Sequence, residues 1–387
     1  MRSFAAPPAL WIFAIEDTSA QFVWRALPKG ELILRVSPLA NTNGPAEPAR
    51  TIEVSTDGLP GSVDIDELEP GRRYRLDITG SAVGSNGQTE IFETLRPPPG
   101  ERLLRLATMN DLHIGVDYFG VVGTMRERDL GVDDEASGLR CARAAFDQAS
   151  AWGFDRLVIK GDLVHKGTSE EWAAARLLVE ATNKPWDMVR GNHEMKPDPR
   201  SALAELKTWD YDGSEPVRCT DLSGVRLVFV ETAEHRTDRG TLANLHDLVV
   251  DAARMTDLPV MIFLHHNLQV RDPAWMLPVG IPARQANPLL DDIARVKQNA
   301  VVTSGHTHRH RRRSHNGVQV VEVGSTKDFP GTWAGYDIRE GGIRQVARRV
   351  VGPAVLPWLD RTRHVALTAW GRWSPGRLDD RCFTHHW

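Results

Sequence analysis

Five short apolar runs in this sequence each end in side chains able to ligate a cation. "LATMNDLHIG" carries Asp111 and His113, and "LVIKGDLVH" carries Asp162. "DMVRGNHE" carries Asn192, His193 and Glu194, "IFLHHN" carries His265 and His266, and "VVTSGHTH" carries His306 and His308. If the runs are parallel strands, these side chains collect at the carboxyl edge of one sheet, where ligands bind in open α/β folds. Residues i and i+2 of an extended chain point the same way, so Asp111 and His113 should face one point, and so should His306 and His308. Singly, each motif is ordinary, because GD and GNH are also common turns. Together, buried carboxylates and imidazoles with nothing between them would be costly to desolvate. A bound cation removes that cost, so the set predicts a metal site.

The elements that must position these residues can be read from periodicity. The apolar runs "LLRLATM", "RLVIKG", "WDMVRG", "VRLVFVE", "PVMIFLHH" and "NAVVTSGH" alternate with helix-like stretches at 137–152, 168–182, 241–256 and 285–298. The second stretch opens with Thr168 and Glu171 at capping-box spacing. The third places Leu242, Leu245, Leu248, Val249 and Ala252 on one face. Strand-helix alternation predicts a layered α/β domain. Upstream, "RPPPGER" (96–102) reads as a linker, since three consecutive prolines suit neither a helix nor a central strand. Before it the texture is β: "QFVWRAL" alternates Phe22, Trp24 and Ala26 with Gln21, Val23 and Arg25, and "YRLDITG" alternates Tyr74, Leu76 and Ile78 with polar residues. With turn signals between such runs, a small antiparallel sandwich is expected. The chain is thus divided into a sandwich (1–98), a catalytic domain (99–352) and a Trp- and Arg-rich extension (353–387) to which no role is assigned.

Bulk properties agree with this plan. A chain of 387 residues exceeds one ordinary domain, and 41% hydrophobic with 25% charged residues is a globular composition. A net charge of −4 argues against nucleic acid or an anionic membrane as partner. Cys141, Cys219 and Cys382 are odd in number and form no CxxC pair, as expected of reduced thiols in a cytosol. The N-terminus, its apolar run broken by Pro7 and Pro8, does not read as a signal peptide, so the expected location is the cytoplasm. No segment approaches the roughly 18 continuous apolar residues of a membrane span.

The series DxH…GD…GNHE…H…GHxH resembles the calcineurin-like metallophosphoesterase superfamily, from about residue 103 to 350. The resemblance implies a layered β-sheet core flanked by helices, the αββα sandwich of that superfamily, and a dinuclear metal centre. Matched by position, Asp111, His113 and His308 would hold one ion, Asn192, His265 and His306 the second, and Asp162 would bridge them. Two ions roughly 3.5–4 Å apart can share a hydroxide formed at neutral pH and clamp phosphoryl oxygens. Mixed imidazole, carboxylate and amide ligation suits Mn, Fe or Zn, with no basis for choosing among them. His193 matches the superfamily histidine that faces substrate, stabilising developing charge or protonating the leaving oxygen. Asn192 and Arg309 are also expected to meet the substrate, Arg309 or Arg311 through its phosphate.

Two departures stand out. "GDLVHKG" puts His165 and Lys166 where many relatives carry the acidic residue that orients the catalytic histidine, and Glu194 cannot be assumed to substitute. Purple acid phosphatases, which also join a β-domain to this fold, have a tyrosine where His165 stands, so no tyrosine-iron charge-transfer site is expected. "DRGTLANLHDLVVDAA" and "GSTKDFPGTWAGYDI" are similar to segments of the cyclic-nucleotide and glycerophosphodiester phosphodiesterase branch. The resemblance therefore implies hydrolysis of a small phosphodiester. The alternatives are a phosphomonoesterase and a non-catalytic scaffold; loss of ligands would mark the scaffold, and here every ligand position is filled. A nuclease is disfavoured because no basic groove extends beyond 309–313.

Of the other histidines, His266 should turn behind the ligands and His310 should lie in a solvated hairpin arm. His315, His385 and His386 should lie at the surface. Finally, "LEPGRRYRLDI" followed by "FETLRPPPG" resembles the closing strands of fibronectin type III-like domains, over about 5–97, with Trp24 in the core.

Overall fold

A computed structural model of the chain describes residues 9–39, 48–85, 87–120, 125–126, 135–196, 198–273 and 278–387. Residues 1–8, on which the signal-peptide reading in part rests, lie outside the described residues. No helix among the described residues is long and apolar enough to cross a membrane.

Seven strands build the N-terminal sandwich: β1 (Leu10–Ile15), β2 (Ala20–Trp24), β3 (Gly30–Pro38), β4 (Arg50–Thr56), β5 (Gly61–Ile65), β6 (Arg73–Thr79) and β7 (Gln88–Glu93). They form a three-stranded sheet, β1-β2-β5, and a four-stranded sheet, β4-β3-β6-β7. In β6 the expected alternation holds, with Tyr74, Leu76 and Ile78 buried. The Tyr74 hydroxyl accepts the Glu69 N–H at 2.8 Å, the tyrosine-corner contact that ties a sandwich strand to the turn before it. Trp24 is buried in the sandwich core. In β2, however, all five residues are buried. Its expected polar face is covered because Gln21 and Val23 pack on the rest of the chain.

The catalytic part continues with β8 (Arg102–Met109), β9 (Tyr118–Phe119), β10 (Met125–Arg126), α1 (Ser137–Trp152), β11 (Arg156–Lys160), α2 (Ser169–Ala181) and β12 (Trp186–Val189). Then come α3 (Asn192–Met195), α4 (Pro199–Lys207), β13 (Val217–Leu222), β14 (Val225–Val230), α5 (His246–Arg254), β15 (Val260–Leu264), α6 (Ala283–Val296) and β16 (Val301–Ser304). β17 (Arg311–His315), β18 (Val318–Glu322), β19 (Thr332–Arg339) and β20 (Gly342–Arg349) complete this part. The last segment contains α7 (Leu356–Thr362), α8 (Ala369–Trp373), α9 (Leu378–Arg381) and β21 (Cys382–His386).

Apart from the β9-β10 pair, the strands form two six-stranded sheets, β12-β11-β8-β19-β20-β21 and β13-β14-β15-β16-β18-β17. Two sheets are what the αββα resemblance implied; corrected is the reading that the ligands meet at the edge of one sheet. β8, β11 and β12 run parallel in the first, and β14, β15, β16 and β18 run parallel in the second. Strands buried on both faces read as continuous apolar runs, which hides from the sequence where one sheet stops and the next begins. Leu106, Val158 and Val189 of the first sheet pack against Phe229, Met261, Phe263 and Val301 of the second. α1 and α2 cover the outer face of the first sheet, and α5 and α6 that of the second. The catalytic fold is an αββα sandwich.

α1 spans 137–152 as its periodicity predicts, and Thr168 caps α2 by accepting the Glu171 N–H. α5 is shorter than expected. Leu242 and Leu245 are buried, but they precede the helix, and Leu248 is exposed. The Leu242 N–H is held instead by Gln285 Oε1 at 2.8 Å. The segment after 352 is not an appendage: β21 pairs antiparallel with β20 and forms the edge of the first sheet.

Candidate metal centre

The proposed ligands follow directly on the carboxyl ends of β8, β11, β12, β15 and β16, from both sheets. Asp111, His113, Asp162, His306 and His308 all have left-handed backbone, with φ of 52°, 45°, 52°, 65° and 52°. Non-glycine residues rarely hold this conformation, and it typically costs on the order of 1–3 kcal/mol each. The expectation that Asp111–His113 and His306–His308 converge as extended i, i+2 pairs is therefore corrected. They converge because both members of each pair sit in left-handed turns. Backbone bonds between turns hold this shape: the His113 N–H donates to the Asp162 carbonyl at 2.9 Å, and the His306 N–H to Asp111 Oδ2 at 2.9 Å.

Glycines let the turns approach. A Cβ on Gly191 would stand 2.2 Å from Asp162 Oδ1, and one on Gly305 would stand 2.7 Å from Asp111 Oδ2.

All seven expected ligand residues come together. Asp111, His113 and His308 each offer an atom within 4.8 Å of the others, and so do Asp111, Asp162 and His265. Asp162 Oδ2 lies 3.5 Å from His113 Nε2 and 3.4 Å from His265 Nε2, between the two halves of the group. Asn192 Oδ1 is 3.1 Å from His265 Nε2. His306 is buried, and its Nε2 has no hydrogen-bond partner among the described residues. Burial, and next the neighbouring His265, push its pKa down to about 3, so the ring is neutral and able to offer a lone pair. Burial works against protonating His265, but Asp162 outweighs it and raises the pKa to about 9. A buried lone pair without a donor, beside carboxylates that draw positive charge, fits bound cations. The mixed N and O donor set fits transition metals.

The surrounding contacts fix which atoms face inward. His265 Nδ1 lies 2.8 Å from the Lys160 carbonyl. Asn192 Nδ2 donates to Asp238 Oδ1 at 3.0 Å, which turns its Oδ1 toward the centre. Glu194 does not orient His193: its carboxylate accepts the N–H groups of Asp162, Val164 and Gly191. His193 Nδ1 instead donates to the backbone carbonyl of His165 at 2.7 Å. The His165 ring stacks on His193 with centroids 4.9 Å apart, and its Nε2 lies 3.0 Å from the Tyr118 hydroxyl.

Other expectations are corrected. Arg309 is buried, its Nε donates to Glu322 Oε2 at 2.9 Å, and its guanidinium lies over the Trp373 ring. It is committed to that carboxylate rather than presented to a phosphate. His310 is buried rather than solvated, with Nε2 3.1 Å from Thr332 Oγ1, because the tail segment covers the start of β17. His266 does turn behind the ligands, its Nδ1 2.9 Å from Thr232 Oγ1. His315 meets Asp291 at 2.7 Å, and His385 meets the Asn299 carbonyl at 2.9 Å; both are half-buried, and His386 is exposed. All three cysteines are free.

Sequence reasoning missed Asp328 and Lys327. Asp328 Oδ2 accepts from His308 Nδ1 at 2.6 Å. The signal was present: "VQVVEVGSTKD" is a sixth apolar run that ends, like the others, in a ligand-type residue.

Comparison with known proteins gives a consistent picture. The sequence profile of the calcineurin-like phosphoesterase family matches residues 104–310. The glycerophosphodiester phosphodiesterase GpdQ of Enterobacter lignolyticus is 28% identical over 162 residues, covering 40% of this chain and 56% of that protein. A probable cyclic nucleotide phosphodiesterase of Psychrobacter arcticus is 24% identical over 184 residues, covering 44% of this chain and 63% of the relative. The matches thus span less than two thirds of either relative. Among solved structures, the purple acid phosphatase PPD1 of yellow lupin aligns with a TM-score of 0.46 and 13% identity, over 89% of this chain and 73% of that one.

Proposed function

Because the chain belongs to the calcineurin-like phosphoesterase family of metal-dependent phosphoric ester hydrolases, we propose that it hydrolyses small phosphodiesters of the cyclic-nucleotide or glycerophosphodiester type. The observation that carries this reading is the meeting of the two halves of the ligand group at Asp162, with His193 alongside. The two phosphodiesterases similar to this chain support the diester class.

Asp111, His113 and His308 would hold one cation and Asn192, His265 and His306 the other, with Asp162 between the two groups. When bound, the pair supplies Lewis acidity and neutralises phosphate charge. The chain's own residues do the rest. Asp162 Oδ1 accepts the backbone N–H of His193 at 2.9 Å, which locks the shared carboxylate to the residue that faces substrate. The His165 carbonyl fixes His193 as the Nδ1–H donor, leaving Nε2 to hold or deliver the proton at the leaving oxygen. A carbonyl orients the ring without setting a second negative charge beside the substrate phosphate. Asp238 keeps the amide of Asn192 from rotating its oxygen away.

The test is metal analysis followed by parallel assays of mono- and diester model substrates and cyclic nucleotides. We expect diester cleavage that Asp162→Asn abolishes. His193→Ala should retain its metals and lose about 100- to 10,000-fold in turnover. A preference for monoesters would move the reading to a phosphomonoesterase. Full activity without His193 would overturn its role, and inactivity with every metal would leave a scaffold of the same fold.

A further inference from the structure

We propose that Lys327 binds the substrate phosphate at this centre, an inference that rests on the phosphoesterase reading above. Lys327 lies in the loop between β18 and β19, beside the Asp328 that holds His308. The residue is only 6% exposed, yet its ammonium stands 3.7 Å from Asp328 Oδ2. That is too long for a hydrogen bond, and the same oxygen already serves His308 Nδ1. On another side the ammonium lies 4.9 Å from the centre of the Phe119 ring, an attractive contact that uses none of its three donors.

The Phe119 ring also stacks on His308, with centroids 6.2 Å apart, so the ammonium lies beside the proposed ligand set. Burial pushes the Lys327 pKa down, while Asp328, Asp111 and Asp162 pull it up, and the last two belong to the proposed ligand set. An ammonium on a buried side chain, with no hydrogen bond from it to the described residues, beside the site where a phosphoryl group would react, suits an anionic oxygen.

The loop is also held in advance. The Lys327 carbonyl accepts from Trp358 Nε1 at 2.7 Å and the Phe329 carbonyl from Trp370 Nε1 at 3.1 Å, while the Phe329 N–H donates to Thr362 Oγ1 at 2.8 Å. Little ordering remains to be done when a ligand arrives. With Arg309 committed to Glu322, Lys327 supplies the phosphate contact that the sequence had pointed to in the arginine run.

The test uses the metal-loaded full chain, Lys327→Met and Lys327→Arg. Inorganic phosphate binding is followed by calorimetry, metal content by atomic emission, and KM and kcat with bis(p-nitrophenyl) phosphate. A lost charged hydrogen bond predicts phosphate binding about ten- to a hundredfold weaker in Lys327→Met, a KM raised alongside, unchanged metal content, and partial recovery in Lys327→Arg. Unchanged phosphate affinity in Lys327→Met would overturn the inference, as would no phosphate binding by the unaltered protein. Loss of metal in Lys327→Met would also overturn it, by assigning Lys327 to the support of Asp328. If phosphate binding depends on Lys327 but neither mono- nor diesters are cleaved, this inference stands and the phosphodiesterase reading fails.

Discussion

Asp328 decides which nitrogen of His308 is turned toward the centre. Its Oδ2 lies 2.6 Å from Nδ1, leaving Nε2 near Asp111 Oδ1 at 3.5 Å. Removing such a carboxylate partner typically weakens metal affinity about 10- to 100-fold. Asp328→Asn should therefore keep the fold and lose metal by about that factor, as read by titration against a chelating indicator. Unchanged affinity would show that the ring is held by packing alone. At this scale the ligand types and their order were legible, because few other reasons bring so many imidazoles and carboxylates to the ends of apolar runs. The geometry was not. The left-handed turns at Asp111, His113, Asp162, His306 and His308 could not be placed from residue type, since Asp and His tolerate that backbone more than most residues but adopt it only rarely. Asp328 escaped notice because its partner is distant in the chain and the motif it follows carries no histidine.

At the scale of elements, the turns work only because strand ends crowd together. Gly191 precedes Asn192 and lies against Asp162, so Gly191→Ala must push either the turn or the shared carboxylate aside. We expect that variant to lose metal binding at one or both positions while its strands remain intact, measured as metal stoichiometry beside far-UV circular dichroism. Full stoichiometry would mean that the two turns can separate without consequence. The strands themselves were legible from apolar runs, and α1 and α2 from their period and cap. α5 was misread because Leu242 and Leu245 are buried for a different reason: the chain before the helix is tied to α6 through Gln285. The division into two sheets was hidden because β8, β11 and β12 resemble β14, β15 and β16 in composition, and only pairing separates them.

The whole molecule is more closely joined than its linker suggests. Glu16 of the sandwich meets Arg348 at 2.7 Å and Trp152 Nε1 at 3.2 Å, Asp17 pairs with Arg344, and Gln21 exchanges two hydrogen bonds with the Arg349 backbone. Between these lies a shared apolar cluster containing Trp11, Phe13, Val23, Phe329 and Val346. Phe13 is fully buried there, with the Arg381 guanidinium 4.4 Å from its ring centre. Phe13→Ala should cost about 3–5 kcal/mol and lower one common melting transition for both parts. Two separate transitions, only one of them shifted, would show that the parts unfold independently. None of this joining was readable from the three prolines at 97–99, which report a stiff crossing and not what lies on either side of it.

The hold of Trp358, Thr362 and Trp370 on the loop at 327–329 has a consequence for how the protein comes into being. A ribosome that has released His308 has already delivered every proposed ligand. The loop bearing Lys327 and Asp328 nevertheless lacks its tryptophan rest until Trp358 and Trp370 have emerged, 31 and 41 residues beyond the carbonyls they hold. Nascent chains should therefore acquire their cations late, and fragments stalled before Trp358 should reach the cell's quality-control machinery with the centre unformed.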